Sequence, residues 1–244
     1  MALREEFESS GNWLFRWRSY LPLLMLSFAV IALGNFRSFF YNGFFDRIWE
    51  LVCLAISFAG IGIRVYTVST APRGTSGRNT KSQVADALNT TGAYSVVRHP
   101  LYLGNFLVWF GIVVSVRSWW FAAIAVLIFW LYYERIMFAE EEFLRRKFGE
   151  EYLTWAARTP AFFPRFGNWR RSSRSFNLLA GIGSEYSVVF MTVGSFAFLN
   201  LIEGRIVRGR FSADKFWAPV FLAGLAFYLI VRLTKKKTQL LNKS

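Results

Sequence analysis

Long, nearly uninterrupted apolar blocks constrain this chain more than any other feature of its sequence. They run from Tyr20 to about Asn35, Ile48 to about Ser69, Leu101 to Val116, Trp119 to about Met137, Tyr186 to about Ile202 and Phe216 to Leu233. A soluble core spreads its apolar residues on one face of each element, whereas blocks of this length ask for hydrocarbon on all sides. In lipid each backbone N–H and C=O needs a partner inside its own segment, so the blocks read as helices. The expected fold class is an all-α integral membrane protein with about six transmembrane helices.

The polar segments between the blocks set the orientation. Lys and Arg number 29 against 15 Asp and Glu, a formal charge of +14. Most of that excess lies in the 70–99 loop, in residues 139–185 and in the Lys235-Lys236-Lys237 tail. The other side keeps Arg37, Arg47, Arg117 and a cluster at Arg205, Arg208, Arg210 and Lys215. Positive-inside asymmetry then puts both termini and the two long basic segments in the cytoplasm. Residues 1–19, with Trp13, Trp17, Arg16 and Arg18, read as an interfacial anchor that is retained rather than cleaved. Glu50 and Arg64 sit near the ends of their block and are expected to snorkel. No soluble basic module is visible, so nucleic acid is not an expected partner. One Cys, Cys53, and one His, His99, supply neither a disulfide framework nor a Cys/His metal cluster, and no metal is expected.

Two segments carry the chemistry-bearing residues. The first is the glycine-bearing stretch from Thr90 to Gly104, with Tyr94, Arg98, His99 and Tyr102. The second, Ala139 to Arg158, opens on Glu140, Glu141 and Glu142 and spaces Phe143, Leu144, Phe148, Tyr152 and Trp155 helically. It is too polar to span and reads as an amphipathic helix along the cytoplasmic face, with Glu142 on its solvated side and Gly149 ending or bending it. Only Arg117 and Ser118 separate the third and fourth blocks, so they form a tight hairpin that returns the chain to its starting face. His99 and Glu140–Glu141 should therefore be neighbours. His99 as a simple loop cap, and Glu134 and Arg135 as a local ion pair, are the plainer alternatives.

Arg98-His99-Pro100-Leu101-Tyr102-Leu103-Gly104 resembles the Arg-His-Pro-x-Tyr-x-Gly signature of the isoprenylcysteine carboxyl methyltransferase-like membrane methyltransferases. Glu140-Glu141, with Phe148 to Tyr152 and Arg158-Thr159-Pro160, is similar to the family's second signature. The resemblance covers about residues 85–165. It implies S-adenosylmethionine as cofactor, held by Tyr94, Arg98, His99, Tyr102, Gly104, Glu140 and Glu141, with Glu141, Arg135 and Glu134 as catalytic candidates. It also implies three regions: membrane helices and a basic loop over 1–84, the methyltransferase core over 85–165, and a basic linker with the last two spans over 166–244.

The acceptor is less constrained. Arg165, Arg170 and Arg171 follow the second signature around Trp169, and planar guanidinium groups bind phosphate bidentately, which points to a lipid with an anionic headgroup. Ordinary positive-inside charge explains the same run. Within the family the pattern, including Tyr133 to Met137 and Thr159 to Phe162, looks most like bacterial homologues assigned to the lipid A 1-phosphate. A prenylated-cysteine carboxylate and an aminolipid nitrogen are the other acceptors. Outside methyl transfer stand a sterol reductase-like enzyme, with Arg73, Arg78 and Lys81 facing the 2′-phosphate of NADPH, and a non-enzymatic membrane scaffold.

Overall fold

A computed structural model describes residues 2–18, 20–34, 43–71, 83, 85–209, 211 and 215–237. Among them there are helices and no strands. In chain order these are α1 (Leu3–Trp17), α2 (Leu21–Leu33), α3 (Gly43–Thr70), α4 (Ala93–Val96), α5 (Pro100–Ser115), α6 (Trp119–Phe148), α7 (Glu150–Ala156), α8 (Leu178–Arg208) and α9 (Trp217–Lys237), with a 3-10 turn at Phe166–Asn168. Arg37, Arg73, Arg78, Lys81 and Arg210 lie outside the described residues, as does most of the 70–89 loop.

Four of these helices are long and apolar enough to cross a membrane: α3, α6, α8 and α9. The helices at the first and third apolar blocks are shorter. With 13 and 16 residues, α2 and α5 reach roughly 20 and 24 Å at 1.5 Å per residue, short of a core about 30 Å thick. Both are nonetheless interior: Ala29, Ala32 and Leu33 of α2 and Val108, Ile112 and Val113 of α5 are buried in the main core.

The helices on either side of the hairpin turn meet α3 and each other by different means. Against α3, α5 packs by small residues. A Cβ on Gly60 would fall 2.5 Å from the Gly104 carbonyl oxygen, and one on Gly111 2.2 Å from Ser57 Oγ. Backbones that approach this closely gain dispersion contacts and Cα–H···O contacts, the usual glue between helices in lipid. Between α5 and α6 the turn is closed by Arg117, the one described non-glycine residue with positive φ (58°). That conformation costs about 1–2 kcal/mol for a residue with a Cβ. Its guanidinium is 1% exposed, 3.2 Å from Asp46 Oδ1, and donates to the Asp46 carbonyl.

Three expectations are corrected. Residues 139–148 do not form a separate surface helix; they continue α6 without a break, because nothing between Met137 and Phe148 stops a helix. The break comes at Gly149, whose φ of 52° turns the chain into α7. Residues 1–19 are not a lone anchor. α1 lies along the polar end of α6, where Gly11 leaves room for the Arg135 carbonyl oxygen and Phe15 is buried. Arg64 does not snorkel. It turns inward, with Nε 2.7 Å from Glu185 Oε2, and Glu185, which lies inside α8 rather than before it, is 2% exposed. A buried carboxylate in a helix bundle is tolerable because a guanidinium meets it.

Candidate functional site

The site forms where the start of α5 meets the polar end of α6. Two backbone segments are laced together over it. Arg98 and His99 donate their N–H groups to the carbonyls of Pro160 and Ala161, Arg165 N–H donates to Val96, and Gly92 N–H donates to Arg170. Ser95 Oγ donates to the Gly92 carbonyl and accepts from Arg170 N–H. Trp155 Nε1 donates to the Tyr94 carbonyl. These bonds, four of them backbone to backbone, pin the Arg98–His99 pair into one orientation.

His99 is then presented between two carboxylates. Its Nε2 lies 2.9 Å from Glu141 Oε1 and its Nδ1 3.6 Å from Glu140 Oε2. Arg98 Nη1 donates to Glu141 Oε2 at 2.8 Å and approaches the Tyr152 hydroxyl at 3.4 Å. Tyr102 donates its hydroxyl to Glu140, and its ring stacks on His99 with centroids 5.7 Å apart. Glu140 and Glu141 are successive helix residues, so their side chains diverge by about 100° and bracket the imidazole rather than repel across one point. Burial works against the charged imidazole, but the hydrogen bonds to Glu140 and Glu141 outweigh it, and the His99 pKa is raised above its ordinary value. Burial also raises the pKa of the Tyr94 and Tyr152 hydroxyls, so both stay protonated donors. His99 stands at the N-cap of α5 but its side chain makes no capping bond, so the cap alternative does not describe it.

Of the residues expected from the sequence, Tyr94, Arg98, His99, Tyr102, Glu140 and Glu141 converge. Gly104 does not face them. It sits in the α3–α5 contact, where a Cβ would meet Arg64 Cγ at 2.5 Å. Arg135 turns to α1, with Nη1 3.0 Å from Ser10 Oγ and its guanidinium 3.8 Å over the Phe7 ring. The helical period explains this: Arg135, Ala139, Glu142 and Arg146 form one stripe that packs on α1, while Tyr133, Ile136, Glu140 and Glu141 face the site. Glu142, expected on a solvated face, is buried on that α1 stripe and paired with Arg4. Glu134 is exposed, two turns or roughly 10 Å along α6 from Glu141. Arg165, Arg170 and Arg171 are exposed, and Arg165 and Arg170 touch the site through their backbones.

Several contributors were not singled out from sequence. Arg18, at the end of α1, reaches to 3.9 Å from Glu140 and lies 4.1 Å over the Phe15 ring. Below the cluster Arg64 also bonds Asn105, which donates to the Tyr133 hydroxyl at 3.1 Å. The signal available for that layer was complementary charge at matched depth, Arg64 near the end of one block and Glu185 at the start of another. Among the described residues, no group of three or more His, Cys, Asp and Glu could hold a metal ion.

A protein-family model described as phospholipid methyltransferase matches residues 49–151, from α3 through the hairpin into α7. The nickel-cobalt-cadmium resistance protein NccN of Alcaligenes xylosoxydans xylosoxydans is 34% identical over 174 residues, 71% of this chain and 78% of that protein. The cobalt-zinc-cadmium resistance protein CzcN of Cupriavidus metallidurans (strain ATCC 43123 / DSM 2839 / NBRC 102507 / CH34) is 40% identical over 88 residues, 36% of this chain and 40% of that protein. No solved structure matches the chain.

Proposed function

Because the chain belongs to the phospholipid methyltransferase family of membrane proteins, we propose that the His99–Glu140–Glu141 cluster is the seat of S-adenosylmethionine-dependent methyl transfer to an anionic lipid headgroup. The observation that carries this reading is the convergence of cation, carboxylate and aromatic groups at one buried point. Arg98 Nε is buried and without a hydrogen-bond partner, a donor left over for a ligand. The donor set suits the zwitterionic tail of the cofactor, with Glu140 or Glu141 for its ammonium and Arg98 for its carboxylate. Tyr102 stacks on His99 and the Tyr152 hydroxyl lies 3.4 Å from Arg98, and aromatic rings beside the cluster can face adenine or a cation, the latter for about 0.5–2 kcal/mol. S-adenosylmethionine supplies an electrophilic methyl group on a sulfonium centre. The chain's part is to bind, orient and keep water out.

The protonation of His99 favours an anionic acceptor. A raised pKa leaves the ring charged over more of the neutral range, so it is a poor base for an amine, which must lose a proton before attack. A phosphate or carboxylate needs no such base, and Arg165, Arg170 and Arg171 add positive charge at the exposed edge. Among anionic acceptors a phosphomonoester of the lipid A 1-phosphate type fits best. Methylation would hold a group of about −1.5 to −2 charge at a single negative charge, weakening divalent-cation binding at the membrane surface. That accords with the two relatives being named as metal-resistance proteins. Both termini are placed on the cytoplasmic side, with α2 and α5 completing six membrane-embedded helices. In support, Lys235 Nζ donates to the Gly183 carbonyl near the start of α8, as α1 flanks the end of α6.

The test is to incubate membranes containing the protein with methyl-labelled S-adenosylmethionine and separate lipids from protein. Label is expected in a phosphate-bearing lipid. Label in a prenylated peptide alone would replace the acceptor, and binding of NADPH with no binding of S-adenosylmethionine would replace the chemistry.

A further inference from the structure

An apolar cavity of about 270 Å³ lies between α1, α2, α5 and α6, directly beside the cluster. Its walls include Trp13, Phe106, Phe110, Val126, Phe129 and Tyr133. That volume falls just under the range of small-molecule pockets, about 300–1,000 Å³, and the lining offers almost no polar surface, which fits a hydrocarbon chain better than a sugar or nucleotide. Leu14, Tyr132 and Tyr133 join it to the polar site: Leu14 and Tyr133 line the cavity, and Tyr133 packs on Tyr102 with ring centroids 4.9 Å apart.

One cation stands at that junction. Arg18 follows Leu14 by one helical turn and so shares its face. The Tyr132 hydroxyl donates to the Leu14 carbonyl at 3.1 Å, and Glu140 is 3.9 Å from the Arg18 guanidinium. The guanidinium is 15% exposed, so it is neither a solvated surface group nor sealed from a ligand. Arg98, His99 and Arg18 together face two carboxylates at the head of an apolar slot.

We propose that Arg18 and this cavity form the acceptor site, the cavity taking one hydrocarbon chain and Arg18 holding the anionic headgroup against the His99–Glu140 cluster. The proposal rests on the methyltransferase reading for its chemistry but not for its binding. It makes α1, which lies outside the matched family region, a specificity-determining element.

The experiment uses the full chain in phosphatidylcholine nanodiscs doped with phosphatidic acid that carries a diazirine near the end of one acyl chain. Illumination is expected to label α5 and α6 peptides bearing Phe106, Phe110 and Phe129, saturably, and more than the matching phosphatidylcholine probe does. Loss of one charge-assisted contact predicts about a ten-fold drop in labelling in R18Q, with R18K intermediate. V126W, which fills the cavity, should lower labelling by both probes, with thermal melting in detergent confirming that each variant folds. Equal labelling by the two probes, or unchanged labelling in R18Q, overturns the proposal. So does competition by excess inorganic phosphate with V126W unaffected, which would make the site one for phosphate alone. Saturable, Arg18-dependent labelling in a protein that transfers no methyl group would keep this site and remove the methyltransferase reading. Methyl transfer with an unchanged acceptor KM in R18Q would do the reverse.

Discussion

The two ends of the α5–α6 hairpin both gather buried charge, yet they are built for different ends. At the turn, Arg117 meets Asp46 and stands 4.0 Å from Glu50, which in turn accepts from Arg47 and from Trp217 Nε1. Arg47–Glu50 lies within α3, and the other contacts tie α3 to the turn and to α9. At the open end, the carboxylates of Glu140 and Glu141 are shared among an imidazole, a guanidinium and tyrosine hydroxyls. An apolar cavity lies alongside that end. Ion pairs that join elements hold a fold. Groups gathered around a space can take up a ligand, and the two ends of one hairpin can be told apart experimentally on that ground.

The comparison is broken most sharply at Glu141. Replacing it with Gln keeps the shape and removes the charge that faces both His99 and Arg98. Truncating one member of a buried charged pair costs about 2–5 kcal/mol of ligand affinity, so E141Q should lower kcat/KM about 100-fold while the melting temperature in detergent moves little. A large fall in melting temperature with activity per folded molecule retained would assign the cluster to structure instead. The mirror experiment is R117A. Removing one partner of a buried pair costs about 3–5 kcal/mol, and here the loss should appear in thermal melting, with the KM for S-adenosylmethionine unchanged in the protein that remains folded.

Gly104 tests a finer boundary, since it belongs to the signature by sequence and to the α3–α5 contact by position. In G104A the new Cβ would sit 2.9 Å from the Gly60 carbonyl oxygen as well as against Arg64. Overpacking of this kind costs about 1–3 kcal/mol. The expected result is lower stability with the affinity for S-adenosylmethionine kept. A selective loss of that affinity would return Gly104 to the pocket.

These cases show what a linear reading could reach. The hairpin and the His99–Glu141 proximity were legible because a two-residue turn forces the chain back on itself, whatever the packing. The site's inner face was half legible: Glu140 and Glu141 followed from the signature, whereas Arg135 and Glu142 were misplaced because their stripe is decided by α1, which no local pattern ties to α6. Arg64 reads as a membrane-edge charge and its partner Glu185 goes unread, because complementary charges in two blocks do not say which of them meet across the packed helices. The short α2 and α5 were read as spans from composition, which shows where hydrocarbon begins and not whether the helix reaches across.

The smallest effect, and the one that bears most directly on the open end, is in pH. The His99 pKa is raised in the folded protein, its hydrogen bonds to Glu140 and Glu141 outweighing its burial, so the folded state binds that proton more tightly than the unfolded chain. The sign follows: this contribution to stability is fully present below the unfolded value of about 6.5 and is lost as pH climbs through the raised folded value. Melting temperature in detergent should therefore decline from about pH 6.5 upward in the wild type and in R117A alike, and the decline should flatten in H99Q. An undiminished slope in H99Q would move the titration to another group and leave His99 as a neutral ring held by stacking on Tyr102, without the charge that the anionic acceptor requires.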